Sequence, residues 1–333
     1  MAETNRQIIL AELPQGQLTP ASFRLAETPT PSPADGEVLL RTRYISLDAA
    51  NRAWMQGATY RSALESGQVM AGGALAEVAE SRADGFAPGD LVWAETGWQD
   101  YAVVPARHLT KVAKLEPLTH LVSIYGVTGL TAYLGLMEIG RPKAGEAVVV
   151  SAAAGAVGTV AAQVAKLTGC RVIGIAGGAE KCAWLTGELG LDAAVDYKAG
   201  GLRRALREAA PDGVNVYFDN VGGDVFEAVL FNMANHGRIV CCGAVSQYDG
   251  APPPHGPRGV PGLFVTKRLR VEGFVVMDLY AKREAALAQL RAWVESGQLK
   301  VQEDVIEGLE NLPAALIGLL AGQNRGKRMV KVV

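Results

Sequence analysis

Residues 146–169 read "EAVVVSAAAGAVGTVAAQVAKLTG", and this stretch limits the fold more than any other part of the chain. Glu146 to Val150 is a short β-branched run of the kind that forms a buried parallel strand. From Val157 the apolar positions fall at Val157, Val160, Ala161, Val164 and Leu167, the spacing of one helical face. Between strand and helix lies a turn almost without side chains. Ala153, Gly155 and Gly158 take the three small positions of the dinucleotide fingerprint, with alanine in place of the first glycine. Backbone N–H groups at the helix start, around Ala156 and Val157, can then approach a pyrophosphate, and the last glycine lets the helix lie close to the sheet. An ordinary tight turn would explain the glycines but not their place between a strand and a periodic helix.

The alternation continues. From about 121 to 295, "RVIGIAG", "NVYFDN", "RIVCCGAV" and "RVEGFVV" read as strands, and "KCAWLTGEL", "VFEAVLFNMA" and a segment from Tyr280 to about Ser296 read as helices. This is the pattern of a doubly wound parallel sheet, an α/β fold. Residues 1–120 instead hold short β-rich segments such as "EVLLRTRYISL" and "QDYAVVPA", punctuated by Pro and Gly, which suggest a β-barrel-like domain. The tail, "EDVIEGL", "LPAALIGLLAG" and "KRMVKVV", reads as strand, helix, strand. It is expected to complete the first domain from about residue 298, which leaves 121–297 as the dinucleotide-binding domain. A length of 333 residues suits two cores.

A net charge of -2 argues against nucleic acid or an anionic membrane as principal partner, so a small molecule is the expected ligand. With neither a membrane-length apolar run nor a basic leader, the chain reads as cytoplasmic. Cys170, Cys182, Cys241 and Cys242 lack paired metal-ligand spacing and read as reduced. The adjacent pair Cys241 and Cys242 fits strand packing better than a redox switch. His108, His120, His236 and His255 are scattered, and no metal site is expected.

The strand after the glycine turn ends at Ala176, Gly177 and Gly178, where an NAD site commonly places Asp or Glu; no acid follows until Glu180. A carboxylate there would repel a 2′-phosphate, whereas Lys181 would attract one unless it is simply a solvated lysine on the first turn of a helix, where a cation is mildly unfavourable. NADP(H) is the expected cofactor.

"SAAAGAVGTVAAQVAKLTGCRVIGIAGGAEK", "YFDNVGGDVFE", "GRIVCCGAVSQYDG", "VEGFVV" and "GQNRGK" together resemble the zinc-independent alkenal/one reductases of the medium-chain dehydrogenase/reductase superfamily. The resemblance implies a GroES-like domain beside a Rossmann domain, a homodimer, and NADPH-dependent reduction of the double bond of an α,β-unsaturated aldehyde or ketone. It places Lys181 and Tyr197 at the adenosine 2′-phosphate region, Asn220 near the nicotinamide ribose and Asn324 at a further cofactor contact. Gly243 and Phe274, Val275 and Val276 match backbone that lines the nicotinamide, and Tyr248 matches a tyrosine that helps hold the substrate carbonyl. "GQVMAGG" stands where a zinc enzyme of the superfamily shows Gly-His-Glu. The chain departs from the family at "NRAWMQG" and "RSALESGQ", where the substrate mouth is built, with Tyr60 as a further candidate there.

Hydride attack at the β-carbon of an enone pushes charge onto the carbonyl oxygen, which a phenol such as Tyr248 can stabilise by hydrogen bonding. Other readings stay open for these residues. Tyr248 could cover a hydrophobic edge, Asn220 could cap the helix near Gly222, and Asn324 could serve a turn beside Gly326. "APPPHGPRGVPG", residues 251–262, could be a lid or a surface connection. A quinone reductase shares the two-domain plan, and a crystallin-like protein could bind NADPH without turnover.

Overall fold

The computed structural model describes residues 4–250 and 255–333, so positions 251–254 of the proline-rich segment lie outside the described residues. Strands β1 (Thr4–Leu10) and β2 (Phe23–Pro29) form an antiparallel ribbon in which Ile8 pairs with Leu25. β3 (Glu37–Ser46) leads into the one-turn helix α1 (Ala50–Ala53). It is followed by β4 (Ala74–Ser81), β5 (Leu91–Ala94), β6 (Tyr101–Pro105) and β7 (Thr110–Lys111). Helix α2 (Val127–Leu134) passes into a second region where strands and helices alternate: β8 (Ala147–Val150), α3 (Ala156–Leu167), β9 (Arg171–Ala176), α4 (Ala179–Gly187), β10 (Ala193–Asp196) and α5 (Leu202–Ala209). There follow β11 (Val214–Asp219), α6 (Gly223–Asn232), β12 (Met233–Cys241), α7 (Gly262–Lys267), β13 (Arg270–Gly273) and α8 (Arg283–Glu295). The chain ends with β14 (Glu303–Glu307), α9 (Leu312–Leu320) and β15 (Lys327–Lys331). The last two strands join the first region's sheet, where β15 pairs antiparallel with the end of β3. The helix read from Tyr280 begins at Arg283, because Val276–Lys282 winds as a 3-10 segment.

Among the described residues the second region carries a six-stranded sheet in the order β10-β9-β8-β11-β12-β13. Every pairing in it is parallel. Strand order reverses between β8 and β11, and a crevice opens at such a switch point beyond the carboxyl ends of the strands. The β-branched run of β8 forms this strand because both faces are covered. Val148 and Val150 pack into the core beneath α3, while Val149 faces the opposite core with Tyr217 and Ile239. All three valines are fully buried, each worth about 1.5–3 kcal/mol relative to exposure.

Candidate functional site

The turn after β8 is built by exclusion. Ala152 takes a left-handed conformation with φ 47°. A Cβ placed on Gly158 would stand 2.1 Å from the Ala152 carbonyl oxygen, so only glycine lets α3 start against this turn. No side chain caps α3, leaving its first-turn N–H groups without intrahelical partners. Gly155, Ala156, Val157 and Gly158 all line a cleft of about 1100 Å³. Ala153 does not reach it. Fully buried, it packs over Gly174 of β9, and its N–H donates to Ile175 O at 2.9 Å, so it supports the turn from beneath.

At the end of the adjacent β11, Asp219 is buried and acts as a hub that sequence reading passed over in favour of its neighbour. Its Oδ1 accepts from Tyr217 Oη at 2.6 Å, Ser151 Oγ at 3.0 Å and the N–H groups of Val221 and Gly222, both at 3.0 Å. The carboxylate thus satisfies the backbone ahead of α6. Asn220 is free of that duty, and no side chain caps the helix at Gly222. Its Nδ2 instead donates to Ser151 O at 2.7 Å, tying β11 to β8 on the cleft wall. Burial, then the Asp219 charge, pushes the thiol of Cys241 up to about 11 and that of Cys242 up to about 12.

The cleft turns positive beyond β9. Lys181, Tyr197 and Lys198 line it around Gly177, where an added Cβ would meet Lys198 Cε and Tyr197 Cε1 at 2.9 Å each. Lys181 Nζ donates to Gly322 O and Asn324 O, both at 2.6 Å. Burial, then repulsion from Lys198, Arg325 and Arg328, lowers its pKa, the mark of a cation cluster suited to an anion. A carboxylate does stand nearby, on β10 rather than β9. Asp196 is not on the cleft wall, and its Oδ1 accepts from the N–H groups of Gly178 at 2.8 Å and Lys198 at 2.9 Å. Lys198, which belongs to the "DYK" motif, is a member of the cluster that the motif reading left out.

Asn324 also lines the cleft, and its Nδ2 donates to Gly326 O at 2.8 Å, so it serves the turn beside Gly326 as well. Gly326 N donates to Ala154 O at 2.9 Å, so the tail clasps the glycine turn. The ring of Phe274 points inward against Phe218 and Gly135, and Phe274, Val275 and Val276 contribute to the wall.

Tyr248 sits on the loop after β12. Its Oη accepts from Ala244 N at 3.0 Å and would lie 3.4 Å from a Cβ on Gly243. Across the cleft's first-domain side stand Trp54, Tyr60, Arg61 and Trp93. Tyr60 is 57% exposed, accepts from Trp54 Nε1 at 3.2 Å and meets that ring edge-on. Arg61 stacks over Trp54 at 4.3 Å and pairs with Glu95 at 3.3 Å. Deeper, the buried Lys327 donates to Asp48 Oδ1 at 2.6 Å. Burial alone would raise the Asp48 pKa, but Lys327 and Ser46 outweigh it and hold it below the usual carboxylate range. Nothing in the sequence spacing marked this pair, which lies 279 residues apart. Among the described residues no group of three or more His, Cys, Asp or Glu side chains is placed to hold a metal ion.

A β-rich domain and a parallel dinucleotide-binding sheet that meet over an uncapped glycine turn define a two-domain nicotinamide-dependent oxidoreductase. Residues 6–112 match the family described as the N-terminal domain of oxidoreductase, and residues 156–293 match the one described as zinc-binding dehydrogenase. The chain is 40% identical to the NADPH-dependent curcumin reductase of Escherichia coli over 99% of its length and 97% of the relative's. It is 41% identical to the NADP(+)-dependent 2-alkenal reductase of Nicotiana tabacum, with 89% and 87% covered. CurA from Vibrio vulnificus in complex with NADPH superposes with a TM-score of 0.94 at 39% identity, with 98% and 99% covered. The chain belongs to the medium-chain dehydrogenase/reductase family, in the branch that contains the alkenal/one reductases.

Proposed function

We propose that the protein reduces the carbon–carbon double bond of α,β-unsaturated aldehydes or ketones with NADPH. The observation that carries this reading is the meeting, in one cleft, of an uncapped helix start over a side-chain-free turn, a cation cluster and the Tyr248 phenol. Relatives named as NADPH-dependent curcumin reductase and 2-alkenal reductase support the substrate class. The cradle at Gly158, which any Cβ would fill, suits a pyrophosphate. Gly155, Ala156, Val157 and Gly158 would hold that group, with Ala153 supporting them. Lys181, Lys198 and Tyr197 would hold the 2′-phosphate region. Asn220, Gly243, Phe274, Val275, Val276 and Asn324 would line the remainder.

When bound there, NADPH would supply the hydride for the substrate β-carbon. The charge that develops on the carbonyl oxygen needs a placed donor. Because the Ala244 N–H already donates to Tyr248 Oη, the phenol can offer its own proton to that oxygen. Tyr60 and Trp54 would wall the substrate, and water would complete protonation at the α-carbon. In this reading residues 1–120 with about 298–333 carry the substrate, and 121–297 carry the cofactor. The protein works as a cytoplasmic homodimer; its four free cysteines suit a reducing compartment. β13 offers an edge strand for pairing, and Val265 of α7, the helix before it, is 72% exposed.

The test is NADPH oxidation with a medium-length 2-alkenal, run beside the saturated aldehyde, a quinone and NADH, with the product identified. The saturated aldehyde as product, with NADPH preferred over NADH, is expected. Brisk quinone reduction with no alkenal turnover would overturn the reading.

A further inference from the structure

The loop that carries Tyr248 leaves β12 and is anchored at its start to Asn220 and Val221, yet from Gln247 to Asp249 it also makes polar contacts with the other domain. Arg52, only 2% exposed, lies in α1; its Nε donates to Asp249 Oδ1 at 2.9 Å and its Nη2 to Gly16 O at 2.7 Å. The same Asp249 oxygen accepts from Leu18 N at 2.7 Å. Just past α1, Gln56 Nε2 donates to the carbonyl oxygens of Tyr248 at 2.9 Å and Gln247 at 3.2 Å. Three consecutive residues of the cofactor domain are therefore gripped, by backbone and side chain, from the first domain. The ion pair joins positions 197 apart in sequence.

An ion pair with one partner buried, like Arg52, and the other half-buried, like Asp249, is a poor source of net stability, because desolvation offsets much of the attraction, and its better-attested use is to fix a geometry. Here the geometry fixed is that of the residue next door. Arg52 is two residues from Trp54, so a single short helix sets both an aromatic wall of the substrate mouth and the loop that presents the phenol. A misplacement of a donor by about 1 Å is enough to cost roughly 100-fold in rate. We propose that Arg52 and Asp249 form an interdomain latch whose role is to position Tyr248 for the substrate carbonyl; this rests on the assignment of Tyr248 made above. Both are positioning residues that act through the tyrosine, and Gln56 is the auxiliary clasp on its backbone.

The test compares wild type with Asp249→Ala, Asp249→Asn, Tyr248→Phe and the Asp249→Ala/Tyr248→Phe double variant. It reads kcat and KM for a 2-alkenal, NADPH affinity by fluorescence titration without substrate, and the melting temperature. Asp249→Ala is expected to lower kcat about tenfold while KM and NADPH affinity stay within about twofold. Asp249→Asn, whose side-chain oxygen can still accept from Arg52 and Leu18, is expected to recover to within about threefold. In the Tyr248→Phe background the Asp249→Ala change is expected to add less than about twofold, since a positioning residue has nothing left to position. Gln56→Ala, at an exposed side chain, is the second probe should Asp249→Ala fold poorly, with kcat about threefold lower and the melting temperature unchanged.

An Asp249→Ala effect that persists in full beside Tyr248→Phe overturns the latch, as does an unchanged kcat in both Asp249→Ala and Gln56→Ala. Full turnover by Tyr248→Phe alone removes the assignment on which the latch rests. That failure is separable, because it shows in the arm where Asp249 is intact.

Discussion

Ala152 and Gly158 approach so closely that a Cβ at 158 would stand 2.1 Å from the Ala152 carbonyl oxygen. Backbone cannot yield as a flexible side chain does, so Gly158→Ala must push α3 off the turn. Overpacking of this kind costs about 1–3 kcal/mol. NADPH affinity, measured by fluorescence titration, should fall at least tenfold while the protein remains folded by circular dichroism. Gly187→Ala, where an added Cβ meets open space and the backbone needs no positive φ, is the control and should leave NADPH affinity unchanged.

Lys198→Ala should reduce the preference for NADPH over NADH. Lys198 leaves the 2.6 Å contacts from Lys181 to Gly322 and Asn324 in place, so its removal takes away charge with less disturbance of the tail. A charged hydrogen bond is worth about 1.5–3 kcal/mol, so the ratio of kcat/KM values should fall about 10- to 100-fold through the NADPH term. The pH dependence has a definite sign. Burial and neighbouring cations lower the Lys181 pKa, so its charge is lost at lower pH than for a free lysine, and NADPH affinity should fall with rising pH before NADH affinity does.

What the sequence makes legible is what local spacing writes. The β-branched run at Val148–Val150 and the helical repeat from Val157 specify strand and helix because neighbouring residues decide both. Lys181 was readable for the same reason, standing a fixed distance beyond the end of β9. Contacts between distant segments left no such mark. Asp219 sat one residue before the asparagine that the motif made conspicuous, yet it is the aspartate that holds Ser151, Tyr217 and the α6 backbone. The Asp48–Lys327 and Arg52–Asp249 pairs join segments 279 and 197 residues apart, and only the fold brings them together.

Asp219→Ala tests that hub. The change strands the buried Tyr217 and Ser151 hydroxyls and two backbone N–H groups, each at a desolvation cost of about 1–3 kcal/mol. The melting temperature should drop by roughly 5–10 °C, and Asp219→Asn should fall less because its oxygen still accepts. Equal melting temperatures for wild type and Asp219→Ala would show that the hub is dispensable.

Cys241 and Cys242 should behave as packing residues. With thiols pushed up to about 11 and about 12, the thiolate fraction at pH 7.5 is below about one in a hundred. Mass spectrometry after brief iodoacetamide treatment of the folded protein should find both unmodified. Prompt alkylation of Cys242 at neutral pH, with activity lost in step, would contradict the burial described here.

The most direct measurement follows the hydride itself. NADPH deuterated at the nicotinamide C4 position that is transferred should be incubated with a 2-alkenal and the product examined by NMR. One deuterium is expected at the former β-carbon of a saturated aldehyde. Deuterium at the carbonyl carbon, in an unsaturated alcohol, would contradict it and make the protein a carbonyl reductase.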